Sequence, residues 1–547
     1  MSGKRILIVG GVAAGSSCAA RARRLAEDAD IVVFEKGPYV SFANCGLPYH
    51  VGDVIEDESS LLLVSPEQFQ ERHAISVHVN HEVLRIDVDA QTVDVRDLAA
   101  GTTRTETYDA LVLATGSKSV RPPVPGLDLP GVFTLRTVPD TRRVKQWLSD
   151  SGATRAAIIG AGFVGLEVAE NLTELGLDVT VVELQDQVMP SLDPPIATAV
   201  AERLQARGVA LCLGEGLAGI EQDGGLRVST TSGTVLDVDI VVLGLGVRPR
   251  TELARAAGIT IGSTGGVAVD DQMRTSAPGV WAVGDVTEDR CSVTGLPRLL
   301  PLAGPANREG RLAADVICGR DEAFRGVQGT AVCRLFGLTA ATTGRAAKEL
   351  SALGIPFETV WLHPKDHVGY YPGARTMTLE VLYDPGSGRV LGAQGVGEAG
   401  VEKRIDVVAM CIQLGGSVFD LEQAELCYAP QVGAAKDPVN VAGMIASNRM
   451  RGDLPMASWE ALGGDELLVD VREVSEFRRE HIPGALNLPL SVLRDRVEEL
   501  PTDRPIWLYC LSGKRSYDAA RALLGRGYDA WTLPGGILSW KALRASR

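Results

Sequence analysis

The sequence predicts an α/β protein of several domains, and three observations carry that prediction. Its 547 residues suffice for about three to four domains, each with its own core. Hydrophobic residues make up 45% against only 5% aromatic, and 61 glycines are present, a balance that suits buried strands joined by tight turns. A strand, a glycine-rich turn, a helix and a second strand ending in an acid also occur twice in the chain. A net charge of −15 argues against a general nucleic-acid or membrane-surface role, so anionic ligands must be met by local N–H groups and arginines. The nine cysteines are odd in number and include no Cys-x-x-Cys pair, which suits a reducing compartment better than a disulfide scaffold. Residues 1–5 run straight into the first strand with no visible signal peptide, and no apolar run reaches the ~18 residues of a membrane span. A cytoplasmic protein is expected, and no metal site.

The first unit is the apolar strand from Arg5 to Val9, the turn Gly10-Gly11-Val12-Ala13-Ala14-Gly15, a helix from Ser16 to Glu27, and a strand from Ile31 to Glu35. This order places a pyrophosphate on a helix N-terminus and an acid at a ribose hydroxyl, the logic of a Rossmann-type unit. Gly10, Gly11, Ala13, Ala14, Gly15, Glu35 and Lys36 are the expected contacts, although Val12 stands in place of the middle glycine.

The second unit is cleaner. Ala156 to Ile159 leads into Gly160-Ala161-Gly162-Phe163-Val164-Gly165, a helix to about Leu175, and a strand from Val179 to Glu183. Gly160, Gly162, Gly165 and Glu183 fill the whole fingerprint. A carboxylate at 183 accepts ribose hydroxyls and repels a 2′-phosphate, and Leu184-Gln185 offers no adjacent arginine. NADH is therefore expected in preference to NADPH, which is still admitted. Two such units imply FAD plus a nicotinamide cofactor. Two strand ends support this: Tyr108 to Gly116, ending Ala114-Thr115-Gly116, and Gly279 to Asp285, ending Gly284-Asp285.

Between the two units lies Ser41-Phe42-Ala43-Asn44-Cys45-Gly46-Leu47-Pro48-Tyr49-His50. Cys45 before Gly and Pro reads as a thiol at a helix start, where N–H groups and the dipole favour the thiolate. The plainer alternative is a small buried hydrophobe. His50 reads as a turn or surface residue, with a base as the other option.

These residues resemble the flavin-dependent pyridine nucleotide-disulfide oxidoreductases, over about Lys4 to Arg451. The resemblance implies flavin contacts from Asn44, Thr115, Gly116, Gly284 and Asp285. Disulfide-reducing members carry Cys-x-x-x-x-Cys, whereas the second position here is His50, so Cys45 must take an outside sulfur or peroxide as its partner. Ser-Phe-x-Asn-Cys is most similar to the coenzyme A disulfide reductases and their persulfide-reducing relatives. That likeness implies Tyr371 and Tyr428 as proton donors or hydrogen-bond partners to a leaving thiolate. It also implies coenzyme A contacts from Ser17, Arg21 and Arg24 on one helix face, with Ser41 and Asn44. A rival reading is an NADH oxidase or peroxidase cycling Cys45 through sulfenic acid, with the tail as an independent sulfur-binding module. The position where peroxidase relatives hold a histidine is Ala13 here, which weakens it.

Strands such as Thr378 to Tyr383 alternate with glycine-rich turns from about Val327 to Gly443, and the family uses this region as an α+β dimerisation domain. A homodimer acting on a small-molecule disulfide or persulfide is expected, with neither nucleic acid nor membrane as partner. The tail from about Ser458 resembles a rhodanese domain in three segments: Leu467 to Glu473 with His481 to Ala485, the loop Cys510-Leu511-Ser512-Gly513-Lys514-Arg515-Ser516, and Trp531 to Trp540. Successive N–H groups of such a loop, with Lys514 and Arg515, would favour a thiolate and stabilise a persulfide on Cys510. The loop is one residue shorter than its phosphatase counterparts. The expected domains are FAD-binding (1–115 and 246–325), NAD(P)H-binding (116–245), dimerisation (326–448), a linker (449–457) and the rhodanese (458–547). The expected function is FAD-dependent, NAD(P)H-driven reduction of coenzyme A disulfide, persulfide or polysulfide at Cys45, with sulfur transfer at Cys510.

Overall fold

Two all-parallel sheets grow from the two glycine-turn units, because their strands are apolar along their whole length and are covered on both faces. In the computed structural model, which describes residues 3–545, the chain separates into two compact units. One comprises residues 1–186 with 208–327, the other residues 187–207 with 328–547.

The first unit holds both sheets. One has the strand order Val280–Ala282, Ala110–Leu113, Arg5–Val9, Asp30–Glu35, Ser76–Val79. The other has the order Val132–Thr134, Ile240–Leu243, Arg155–Ile159, Asp178–Glu183, Ala210–Leu213. Four strands of each follow the same plan, and each half inserts a three-stranded antiparallel meander before its return strand. Ile6, Leu7, Ile8 and Ala157, Ile158 are wholly or almost wholly buried, as a doubly covered sheet demands. Both glycine turns therefore open at the carboxyl ends of central strands, where α/β sheets bind ligands.

The second unit contains a five-stranded antiparallel sheet, in the order Ala331–Leu335, Leu338–Gly344, Val390–Gly397, Met377–Tyr383, Glu358–Leu362. Helices Val401–Gln413 and Pro438–Met450 belong with it. Segment 187–207 joins this unit through Asp193, whose carboxylate accepts N–H bonds from Ala347 at 2.7 Å and Gln394 Nε2 at 2.7 Å. The C-terminal domain has its own parallel sheet, Leu486–Asn487, Leu467–Asp470, Ile506–Tyr509, Ala530–Thr532. Among the described residues no helix is long and apolar enough to cross a membrane.

Candidate active site

The two cradles are built alike. Gly10 and Gly160 take φ of +101° and +105°, and a Cβ there would lie 2.1 Å from the Ala114 carbonyl and 2.5 Å from the Gly244 carbonyl. Only glycine fits such a turn. Each is followed by a helix whose first turn has no side-chain cap, Ala13–Leu25 and Phe163–Glu174, so the leading N–H groups are left for an anion. The acids are pinned in the same way. Glu35 accepts N–H bonds from Gly11 at 2.9 Å and Gly37 at 2.7 Å, and Glu183 from Ala161 at 2.7 Å and Gln185 at 2.9 Å. Each carboxylate keeps further lone pairs for ribose hydroxyls. Burial pushes the Glu35 carboxyl up against the pull of those two N–H groups. Lys36 pairs with Glu82 at 2.6 Å. This donor set fits FAD at the first cradle and a nicotinamide dinucleotide at the second.

The strand-end motifs meet around an arginine with no local sequence signal. Arg136, just past the strand Val132–Thr134, bonds Asp285 at 3.0 Å and the Ser117 hydroxyl at 2.6 Å, while Ser117 itself donates to Asp285 at 2.7 Å. Thr115 donates to the Arg250 carbonyl, and Arg250 N–H to the Gly116 carbonyl, both at 2.9 Å. Gly284 N–H donates to the buried Glu309 at 2.6 Å.

Cys45 is exposed and lies in a short 3₁₀ turn, Asn44–Gly46, ahead of the five-residue helix Leu47–Val51. Its Sγ lies 3.7 Å from Asn44 Oδ1. The loop is hung on the dinucleotide turn by Ser41 N–H to the Gly11 carbonyl, at 2.8 Å. The expectation of a thiolate favoured by a helix dipole is corrected here. Burial and then the Glu167 and Asp285 carboxylates push the Cys45 thiol up, and Arg136 only partly opposes them. Glu167 is itself pushed up to about 7 by burial, and Tyr49 donates to it at 3.3 Å. His50 is corrected as well. It is buried rather than on a turn or the surface, with Nδ1 2.6 Å from the Ile55 carbonyl.

The face expected to meet coenzyme A is only partly free. Ser17 bonds Asn307 at 2.5 Å and Arg21 is tied to Asp315 at 2.6 Å, whereas Arg24 is exposed. In the second unit the hydroxyl that meets Tyr428 comes from the residue before Tyr371. Tyr370, not Tyr371, places its hydroxyl 3.0 Å from that of Tyr428, and their hydrogen bond pushes the Tyr428 phenol up. Tyr371 instead lies edge-on to His367, because consecutive residues of this turn point to opposite sides.

Cys510 is buried at the end of the strand Ile506–Tyr509. Gly513, at φ +100°, turns its N–H onto Sγ at 3.2 Å, and the Ser516 hydroxyl lies at 3.8 Å. The helix Lys514–Leu524 follows at once, with Lys514 exposed. Arg515 is held by both oxygens of Glu476, at 2.6 and 2.8 Å, and so holds that carboxyl down to about 2. Glu476 was not singled out from sequence, since an acid in a short helix has no distinctive pattern.

Two dinucleotide cradles flanking one thiol, with a second thiol in an N–H-lined loop, define a two-cofactor oxidoreductase of sulfur compounds. Residues 4–310 match the pyridine nucleotide-disulphide oxidoreductases, 330–437 their dimerisation domain, and 457–543 the rhodanese-like domain. The chain belongs to the pyridine nucleotide-disulphide oxidoreductase family, is a flavin-dependent enzyme, and carries a rhodanese-like domain at its C-terminal end. It is 33% identical to a coenzyme A disulfide reductase of Staphylococcus haemolyticus, over 80% of this chain and 98% of that protein. It is similar to the crystal structure of reduced Bacillus anthracis CoADR-RHD, with a TM-score of 0.97 and 40% identity over 100% of this chain and 99% of that one. A NAD-dependent persulfide reductase from A. fulgidus matches with a TM-score of 0.91 and 36% identity, over 98% and 100% of the two chains.

Proposed function

We propose that this chain reduces coenzyme A disulfide and coenzyme A persulfide or polysulfide with NADH at Cys45, and holds sulfane sulfur for transfer on Cys510. The observation that carries the reading is one combination: a single thiol between two dinucleotide cradles, its usual partner position taken by the buried His50, in the same chain as a sulfur-sized loop around Cys510. The relatives named above support the choice of carrier.

Because no second cysteine stands at position 50, Cys45 forms its disulfide with the substrate. Its thiolate attacks one sulfur of the substrate disulfide, forming a mixed disulfide and releasing the first thiolate. An electron pair then breaks the new bond, returning the Cys45 thiolate and the second thiol. The sum is NADH + H⁺ + RSSR → NAD⁺ + 2 RSH, and for a persulfide NADH + RSSH → NAD⁺ + RSH + HS⁻. Bound FAD supplies the hydride acceptor and electron-pair donor that link the nicotinamide to sulfur. Arg136 and Ser117 hold Asp285, which would contact that cofactor, and Glu183 would select NADH. The Tyr370–Tyr428 pair donates a proton to the departing thiolate, across a homodimer formed by the antiparallel-sheet domain. Arg24 and Ser17 receive the nucleotide end of coenzyme A, and the protein works in the cytoplasm.

The test is anaerobic stopped-flow reoxidation of the NADH-reduced protein by coenzyme A disulfide, coenzyme A persulfide, glutathione persulfide, polysulfide, peroxide and oxygen. Fastest reoxidation by a coenzyme A species is expected. A clear preference for peroxide or oxygen would overturn the reading in favour of an oxidase or peroxidase.

A further inference from the structure

The tyrosine pair stands on two loops, and one histidine braces the first of them in a way that fixes its charge. His367 is only 7% exposed. Its Nδ1 lies 2.7 Å from Asp366 Oδ2, and its Nε2 lies 3.3 Å from the Pro372 carbonyl oxygen. A carboxylate and a backbone carbonyl are acceptors only, and a neutral imidazole carries a single N–H. Both contacts are hydrogen bonds together only when the ring carries two protons. Asp366 is suited to hold that cation, since its other oxygen accepts the Arg375 N–H at 2.6 Å.

The remaining contacts bring the loops together. Tyr371 N–H closes onto the Val368 carbonyl, and Val368 N–H reaches the Gly433 carbonyl on the neighbouring loop, both at 3.0 Å. The buried Arg404 donates to the Asp366 carbonyl at 2.8 Å and pairs with Asp437 at 2.8 Å. The charged and titratable groups tied to this frame are Asp366, which the ring contacts directly, Tyr371, edge-on to the ring, and Arg404, which bonds the Asp366 carbonyl and pairs with Asp437. At the far end of this frame the Tyr370 and Tyr428 hydroxyls meet.

We propose that doubly protonated His367 is a positioning residue that clamps the 366–372 loop and so holds Tyr370 against Tyr428. The consequence for turnover rests on the role given to that pair above; the clamp itself does not. The hydrogen bond to Asp366 raises the His367 pKa above its ordinary value, so the clamp is complete below that raised value and is lost as pH rises through it.

Hydrogen exchange of the FAD-loaded full-length protein across pH tests the clamp without reference to activity. Corrected for intrinsic rates, peptides covering 366–376 lose about tenfold protection on the alkaline side in the wild type. In His367→Gln they are unprotected throughout. Asp366→Asn, which keeps an acceptor for Arg375 but removes the charge, moves the midpoint down by about one pH unit. Flat, equal protection in all three proteins would overturn the proposal, as would an unmoved midpoint in Asp366→Asn if His367→Gln does not fold. In turnover, kcat/KM for coenzyme A disulfide shows the same alkaline limb in the wild type and none in His367→Gln, while flavin reduction by NADH is equal in both. If Tyr428→Phe turns over normally, the tyrosine role fails, and the exchange data still decide for or against the clamp.

Discussion

Cys45 and Cys510 sit in opposite surroundings. Cys45 is exposed, with Glu167 and Asp285 near enough to disfavour its anion. Cys510 is buried, yet a backbone N–H at 3.2 Å and a hydroxyl point at its sulfur, with Arg515 behind them. Exposure alone would rank them the other way for reactivity. Burial and two carboxylates disfavour the Cys45 anion, whereas the Cys510 sulfur meets hydrogen-bond donors. The protein needs no shared chemistry at the two sites, only two different fields.

Removing the resting sulfur site gives the largest contrast. Cys510→Ser is expected to abolish cyanolysable sulfur on the tail, while coenzyme A disulfide reduction stays within about twofold, because small disulfides reach Cys45 directly. Labelled sulfur retained on the variant tail would erase the distinction.

Cofactor choice comes next. Glu183→Ala should lower kcat/KM for NADH about tenfold and narrow the NADH/NADPH ratio, since the ribose acceptor and the charge opposing a 2′-phosphate are both lost. An unchanged ratio in coupled assays would place selectivity elsewhere.

A smaller effect probes the field around Cys45. Glu167→Gln removes one of the two carboxylates, so the midpoint for alkylation of Cys45 in the NADH-reduced protein should fall by up to about one pH unit. Because Glu167 titrates near 7, the rates of the two proteins converge below that pH and diverge above it. Site-resolved mass spectrometry is the readout.

The smallest effect concerns the floor of the flavin loop. Thr287 Oγ faces three oxygens, those of Gly284 at 2.8 Å and of Asp289 and Glu309 at 3.3 Å each, but has one proton to give. Burial, and then the neighbouring Asp289 carboxylate, raises Glu309 above the carboxylate range, so this carboxyl keeps the missing proton. The sign follows: a raised carboxyl contributes stability that is present below its unfolded pKa and is lost as pH rises to the folded one. Glu309→Gln keeps a donor at every pH. Its temperature of flavin release should exceed the wild type's by about 2 °C at mildly alkaline pH and by nothing at pH 4. A constant difference would show that no titration is involved.

The architecture was legible because each Rossmann-type unit writes itself in contiguous residues: an apolar strand, the glycines at 10 and 160 that only a left-handed turn explains, and an acid at the next strand end. The Cys510 loop was legible for the same reason. The site was legible only where it is local. Arg136, Glu167 and Glu476 act from other segments, and their partners Asp285, Cys45 and Arg515 are joined to them by topology that no short window reveals. Burial misled as well. His50 is packed inside, and burial, followed by the Glu167 and Asp285 carboxylates, outweighs the short turn at Cys45. The Tyr370–Tyr371 ambiguity is of another kind, since adjacent residues differ only in which side of a turn they take.

The central claim is that Cys45 alone reduces sulfur, and one comparison tests it most directly. Cys45→Ser should bind FAD and accept hydride from NADH at the wild-type rate in anaerobic stopped flow. Its turnover with both coenzyme A disulfide and coenzyme A persulfide should then fall about a thousandfold or more. Near-normal persulfide reduction in that variant would contradict the account, because the electrons would be reaching sulfur without the thiol that lies between the two cradles.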